Sequence, residues 1–251
     1  MKVREILAKT VLTRTAISGF DYCMNPYVGC GHGCRYCYAS FMKRFTGHKE
    51  PWGSFVDVKI NAPSLLKKQL NRAIPGVVAI STVTDPYQPV EKKYEIVRRC
   101  LEILLEKQFP VNLLTRSPLC LRDIDLFNQF HDIEVGFSIG TNDESAKKIF
   151  EPNSPTIESR VKALKTLHME KVKTYAFIGP LLPMDSKALV EMLEGAVDEI
   201  LIDKMNYPNK VIGFYRKKEL EFYLSDDYFK GVGVELKEEF EKKGIPVSLI
   251  F

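Results

Sequence analysis

From residue 77 onward, short apolar runs alternate with amphipathic stretches. Val77–Thr82 is a continuous apolar run. Tyr94–Gln108 then places Tyr94, Val97, Leu101 and Leu104 at helical spacing. Val111–Thr115 reads as a strand, Leu121–Phe130 as a helix entered through Pro118, and Ile133–Ile139 as a strand. Residues 156–170 form a helix through Ile157, Val161, Leu164 and Leu167; Thr174–Gly179, Ser186–Gly195 and Glu199–Asp203 continue the rhythm. Apolar strands separated by amphipathic helices argue for a parallel sheet covered by helices. Six such repeats predict an α/β fold of the partial (β/α)6 TIM-type barrel kind. A closed eight-stranded barrel needs more repeats than the chain shows, and an open doubly wound sheet is the structural alternative.

The two ends read differently. Residues 1–29 are a lead-in with one strand candidate at 21–27, ending where Pro26 removes a ladder donor. Tyr38–Phe45 can start a helix, which Pro51 and Gly53 in Thr46–Gly53 interrupt. Phe55–Ile60 alternates like a half-exposed strand, and Ser64–Arg72 is a short helix with Leu65, Leu66 and Leu70 on one side. Tyr207–Tyr223 reads as irregular. Asp226–Lys243 is a helix through Phe229, Val232, Leu236 and Phe240, stopped by Gly244 and Pro246, with a final strand candidate at Val247–Phe251. The expected division is a barrel over 1–206 and a C-terminal extension over 207–251, a short cap packing on the same domain.

With 251 residues, 45% of them hydrophobic, a single sizeable core is the default. The N-terminus lacks a signal-peptide apolar region, and no window is long enough to span a bilayer, so a cytoplasmic location with no membrane partner is expected. Thirty-six Lys and Arg against 32 Asp and Glu leave a net charge of +4. The cations fall in scattered pairs that read as solvated helix faces, so charge alone selects no partner.

The densest chemistry lies in NPYVGCGHGCRYCYA, from Asn25 to Ala39. Cys30, Cys34 and Cys37 stand in a C-x3-C-x2-C spacing with Gly29, Gly31 and Gly33 between them. Three thiolates on a glycine-rich loop can wrap a soft metal centre, zinc or iron–sulfur. Three ligands instead of four leave a position open for chemistry. The bland alternative is a structural zinc knob with Cys23 or His32 as fourth ligand. Cys100 and Cys120 read as buried small hydrophobes, and the four histidines as structural or exposed. In parallel α/β folds ligands gather at the carboxyl ends of strands. Those ends carry Ser81-Thr82 with Thr84-Asp85, then Thr115-Arg116-Ser117, Ser138, and Asp203-Lys204.

The cysteine spacing, with Tyr36 directly before the third cysteine, resembles the radical S-adenosylmethionine enzymes. The words NPYVGCGHGCRYCYA, STVTDPYQPVE, LLTRSPLCLRDIDL and EPNSPTIESR together resemble the spore-photoproduct-lyase-like branch, also labelled DNA repair photolyase-like. That resemblance implies a 4Fe–4S cluster on Cys30, Cys34 and Cys37, whose fourth iron is chelated by S-adenosylmethionine. Reductive cleavage of that cosubstrate then yields a 5′-deoxyadenosyl radical, with a ferredoxin or flavodoxin as electron donor. It implies that Tyr36 contacts adenine and that Arg116 pairs with the methionine carboxylate, a role its fork suits. Ser138 matches a serine near the ribose or methionine. Ser81, Thr82 and Asp85 fill the place of a motif that holds the amino group. Tyr36 and Tyr38 match positions implicated in hydrogen-atom transfer, the only candidates for catalytic residues.

One departure matters. Where the lyase has a hydrogen-donating cysteine in its word ACTSD, this chain has Ser81, whose O–H bond is a poor hydrogen-atom donor. Repair of spore photoproduct itself is therefore not expected. The substrate stays open: the family label points to nucleic acid, and Tyr207, Lys210, Phe214, Tyr215, Arg216, Lys217 and Lys218 interleave rings with cations as single-strand binders do. The same run could instead be a cap with its rings packed and its cations in water. A non-enzymatic zinc or electron-carrier module is the remaining alternative.

Overall fold

The computed structural model describes residues 1–250; Phe251, the end of the expected last strand, lies outside them. The first 28 residues carry four short strands where one was expected: β1 (Lys2–Ile6), β2 (Leu12–Arg14), β3 (Tyr22–Met24) and β4 (Tyr27–Val28). Asn25-Pro26 separates β3 from β4. β5 (Phe55–Lys59) pairs with β1 in parallel and β4 in antiparallel, making a separate three-stranded sheet. Its Phe55, Val56, Asp57 and Val58 are all buried, so β5 is neither half exposed nor part of the barrel.

The remaining strands form the main sheet: β6 (Val78–Ile80), β7 (Val111–Thr115), β8 (Ile133–Ser138), β9 (Lys173–Ile178), β10 (Glu199–Ile202) and β11 (Val247–Leu249) join β2 and β3. The order across it is β11-β10-β9-β8-β7-β6-β3-β2. All pairings from β3 to β11 are parallel, and β2 alone runs antiparallel at one edge. The sheet does not close, and the architecture is an α/β partial barrel.

Helices α1 (Ala62–Leu70), α2 (Glu91–Tyr94), α3 (Ile96–Glu106), α4 (Ile124–Phe127), α5 (Glu144–Phe150), α6 (Ile157–Met169), α7 (Ser186–Leu193), α8 (Pro208–Lys217) and α9 (Asp226–Lys242) follow in turn. The strands' two-residue period decides the core: Val78 and Ile80, Val111 and Leu113, Val135 and Phe137, Ala176 and Ile178, Ile200 and Ile202 all join one buried apolar cluster with the helices. The expected helix over 94–108 is broken at Glu95, whose φ of 48° ends α2. The Glu91 carboxylate then accepts from the Val97 N–H through both oxygens and starts α3 afresh. Residues 118–123 are 3-10 turns, leaving only one α-helical turn, α4, from the helix expected over 121–130. Tyr38–Phe45 is likewise 3-10.

The stretch after 207 is not irregular: Pro208 opens α8, a 3-10 turn covers Glu221–Leu224, and α9 leads into β11 beside β10. Aromatic and β-branched residues hid α8 from a propensity reading, while burial of Val211 and Tyr215 secures it. Among the described residues no helix is long and apolar enough to cross a membrane.

Candidate functional site

The cysteine loop leaves β4 at the carboxyl end of β3. Gly29 sits at φ +90°, and a Cβ there would lie 2.4 Å from the Phe55 carbonyl oxygen, so the loop can enter only through glycine. Cys30 and Cys34 are buried and Cys37 is more open. Burial pushes all three thiols up, Cys30 to about 12 with Asp85 adding to it; Arg116 pulls the other way on Cys34 and Cys37. Bare thiolates are therefore disfavoured here, and a bound metal centre is what would hold the sulfurs deprotonated.

The other quoted words wall this loop in. From STVTDPYQ, buried Gln88 accepts from the Gly31 N–H at 2.9 Å and donates to the Gly29 carbonyl at 3.2 Å, while Thr84 Oγ1 donates to the same carbonyl at 2.6 Å. Asp85 is buried; it accepts from Tyr87 N (2.9 Å), Thr115 Oγ1 (2.7 Å) and Arg116 N (2.8 Å), and faces His32 Nε2 at 3.3 Å. Burial alone would raise its carboxyl, but His32, Thr115 and the Arg116 N–H hold it below the usual range. A contact from Asp85 to a cosubstrate amino group would share the carboxylate with these bonds. From EPNSP, Asn153 N donates to the His32 carbonyl at 3.3 Å and Asn153 Nδ2 to the Gly31 carbonyl at 3.2 Å.

Tyr36 and Arg116 meet on a residue that the sequence did not single out. The Tyr36 hydroxyl donates to Glu151 Oε1; Arg116 Nε donates to the same oxygen at 3.2 Å, and Arg116 Nη2 donates to the Tyr36 hydroxyl at 3.0 Å. Glu151 Oε2 accepts from Arg160 Nη2 and from Ser154 Oγ. Arg160, itself buried, also donates to the Ser138 carbonyl at 3.0 Å. Burial would raise the Glu151 carboxyl, yet the guanidinium groups of Arg116 and Arg160 bring it down to about 2. Both Glu151 and Arg160 stand in EPNSPTIESR, and a charged pair flanking a helix start was the available signal.

Ser81 directly follows β6, and Ser138 is the last residue of β8. Both are buried, and both hydroxyl oxygens lack a hydrogen-bond partner. Ser81 adopts φ 65°, unusual for a residue other than glycine. Unpartnered buried hydroxyls invite a polar ligand. Thr82 accepts at its carbonyl from the Tyr38 hydroxyl and at Oγ1 from Asn25 Nδ2. Tyr38, 41% exposed, stacks with Tyr207, 50% exposed, at 6.3 Å between centroids. Asp203, at the end of β10, is held by Asn206 at 2.6 Å.

No group of three or more His, Cys, Asp and Glu among the described residues is drawn together to hold a metal ion. His32 faces Asp85 rather than the thiols. Three cysteine sulfurs on one loop are the donor set of an iron–sulfur cluster, and two unpartnered buried hydroxyls with an arginine fork suit an amino-acid-bearing cosubstrate. A family model described as the Radical SAM superfamily matches residues 24–194. The chain belongs to the radical SAM superfamily. A radical SAM enzyme uses a 4Fe–4S cluster and S-adenosylmethionine, and this chain is such an enzyme.

Its similarity to an uncharacterized protein of Methanocaldococcus jannaschii is 42% identity over 228 residues, 91% of this chain and 84% of the archaeal one. An uncharacterized protein of Mycobacterium tuberculosis is 28% identical over 77% of this chain, which spans only 60% of that relative's length. A protein of Pseudomonas phage M6 named a radical SAM Nalpha-GlyT isomerase is 22% identical over 63% of this chain and 32% of its own. In fold, the radical SAM chain resembles spore photoproduct lyase complexed with dinucleoside spore photoproduct. The TM-score is 0.73 at 13% identity, over 98% of this chain and 82% of that one.

Proposed function

We propose that this radical SAM enzyme takes a hydrogen atom from a nucleobase held in single-stranded or extruded form, with Cys30, Cys34 and Cys37 holding the cluster. The observation that carries the reading is the exposed Tyr38–Tyr207 stack one residue beyond Cys37, with Lys210 Nζ 4.9 Å from the Tyr207 ring centroid. A flat aromatic platform beside a cation is how sequence-tolerant single-strand sites take a base. The bound cluster and S-adenosylmethionine supply reductive cleavage and a carbon-centred radical; the protein orients and shields. Arg116 would meet the methionine carboxylate, Tyr36 the adenine, and Ser81, Thr82, Asp85 and Ser138 the remaining polar groups. The relatives lend the substrate class: one is named for an isomerase acting on GlyT, and the lyase structure carries a dinucleoside lesion.

The rest of the aromatic run does not join the platform. Phe214 and Tyr215 pack inward against Phe150, leaving Arg216, Lys217 and Lys218 in solvent. The test is binding of labelled single-stranded DNA and RNA across a salt series, followed by turnover on base-deuterated strand. Tyr207→Ala should weaken binding by about fivefold to a hundredfold, since one base stack contributes roughly 1–3 kcal/mol. Deuterium should appear in 5′-deoxyadenosine. No binding at about 50 mM salt, where phosphate contacts are strongest, would refute the reading and move the substrate to a small molecule or peptide.

A further inference from the structure

Behind the cysteine loop lies a second loop, residues 46–54, that is fastened from three sides. His48 is wedged between Asp57 (Nε2 to Oδ1 2.8 Å) and Glu50 (Nδ1 to Oε2 3.0 Å), and its ring stacks on Phe55 at 4.2 Å. Asp57 is gripped in turn by the Arg4 fork at 2.9 and 2.7 Å. At its far end, Gly53 (φ +91°) presses on the backbone of Gly33: a Cβ at Gly53 would stand 2.7 Å from Gly33 Cα. Between these anchors sits Trp52, the chain's single tryptophan, edge-on to Phe55 at 5.9 Å and 83°.

The indole N–H of Trp52 is fully buried and meets no conventional hydrogen-bond partner. A buried donor without an acceptor is costly and calls for an explanation. The Gly53–Gly33 contact sets this loop against the cysteine loop, and the indole N–H has the Cys37 sulfur as its neighbour. A tryptophan N–H can only donate.

We propose that Trp52 donates a hydrogen bond through Nε1 to the Cys37 thiolate and thereby raises the reduction potential of the cluster this sulfur holds. Donors to cluster sulfurs stabilise the more negative, reduced form, and second-layer contacts of this kind tune metal centres. Trp52 is a positioning residue, acting through Cys37. The proposal rests on Cys37 being a cluster ligand, so iron content and potential are read separately.

The experiment uses anaerobically reconstituted full-length protein, redox titration followed by EPR, and iron and sulfide analysis. Two variants are compared: Trp52→Phe, and replacement of Trp52 by benzothienylalanine, which keeps the bicyclic shape but carries sulfur in place of N–H. Both should keep a full cluster and shift its reduction equilibrium about tenfold towards the oxidised form, 59 mV lower for a one-electron couple. A full cluster at unchanged potential in the benzothienylalanine protein overturns the proposal. Loss of the cluster in both variants overturns it too, since the ring's bulk would then be what the site requires. Loss of the cluster in Cys37→Ser at normal Trp52 burial fits the proposal, whereas a normal cluster there would instead refute the underlying ligand assignment.

Discussion

Glu151 is the residue whose replacement should most damage this site without touching a thiol. Its side chain is 1% exposed and balances two guanidinium groups, Arg160 at 1% and Arg116 at 18% exposure. Glu151→Gln keeps the shape and removes the charge, leaving two cations facing each other with a neutral amide between them. Breaking a buried ion pair from one side costs about 3–5 kcal/mol. An independent estimate comes from proton linkage. A carboxyl with an ordinary value of 4.5 that is brought down to about 2 in the fold contributes about 3 kcal/mol at neutral pH. The sign follows from the depressed folded value: the contribution is complete above 4.5 and is lost as pH falls from there through about 2. The assay is urea unfolding of the cluster-free protein, wild type against Glu151→Gln, from pH 7 downward. The variant should be less stable by about 3 kcal/mol at pH 7, and the gap should shrink below pH 4.5, because glutamine does not titrate while Glu151 does. Equal stability at pH 7, or a gap that stays constant through the acid range, would refute the network as drawn.

Other outcomes follow from the same residues. Cys30→Ala, Cys34→Ala or Cys37→Ala should each abolish the brown colour and EPR signal of reconstituted protein; Cys100→Ala and Cys120→Ala, both fully buried in the apolar core, should keep them, and a normal cluster in Cys34→Ala would contradict the ligand set. Arg116→Ala should leave iron content unchanged and weaken S-adenosylmethionine binding about tenfold to a hundredfold, the weight of a charged hydrogen bond of roughly 1.5–3 kcal/mol; calorimetry showing an unchanged Kd would confine Arg116 to its structural contacts with Glu151 and Tyr36. The wild type should not restore thymines from spore photoproduct catalytically, because Ser81 offers no S–H bond, and clean repair detected by chromatography would overturn that reasoning.

The parallel strands were legible because each is an apolar run: β7 is Val111–Thr115 in both sequence and structure, and β8, β9 and β10 differ from the expected limits by a residue or so. What failed had local signals pointing elsewhere. β1, KVREI, is mostly exposed and charged, so nothing in its own pattern marks a strand; only pairing with buried β5 makes it one. α5 had too few apolar residues to read as a helix, and Asp143, whose side chain accepts from Ser145 N, is what starts it. The break at Glu95 was hidden because good helix-forming residues flank it. The Glu91 carboxylate, satisfied by Arg122 at 2.8 Å and by the next helix's N–H groups, stabilises a kink that propensity alone would not choose.

The candidate site divides along a different line. Cysteine spacing is a covalent constraint on a short loop, so it survives as a linear pattern, and Cys30, Cys34 and Cys37 could be named from it. Arg116 and Ser138 could be named because strand ends are where polarity returns after an apolar run. Glu151 could not, since its partners are 115, 35 and 9 residues away, at Tyr36, Arg116 and Arg160. Trp52 could not either, because in the sequence it sits among the loop-breaking residues Pro51 and Gly53 and reads as punctuation. Both residues would act on a candidate ligand-binding group instead of the ligand, and such roles are set by which loops the fold stacks together. Gly33 against Gly53, and Asn153 under Gly31, are the contacts that do the stacking here. Each is local in space and distant in sequence, so a reading that moves along the chain reaches the candidate ligands first and their supports only once the loops have been brought together.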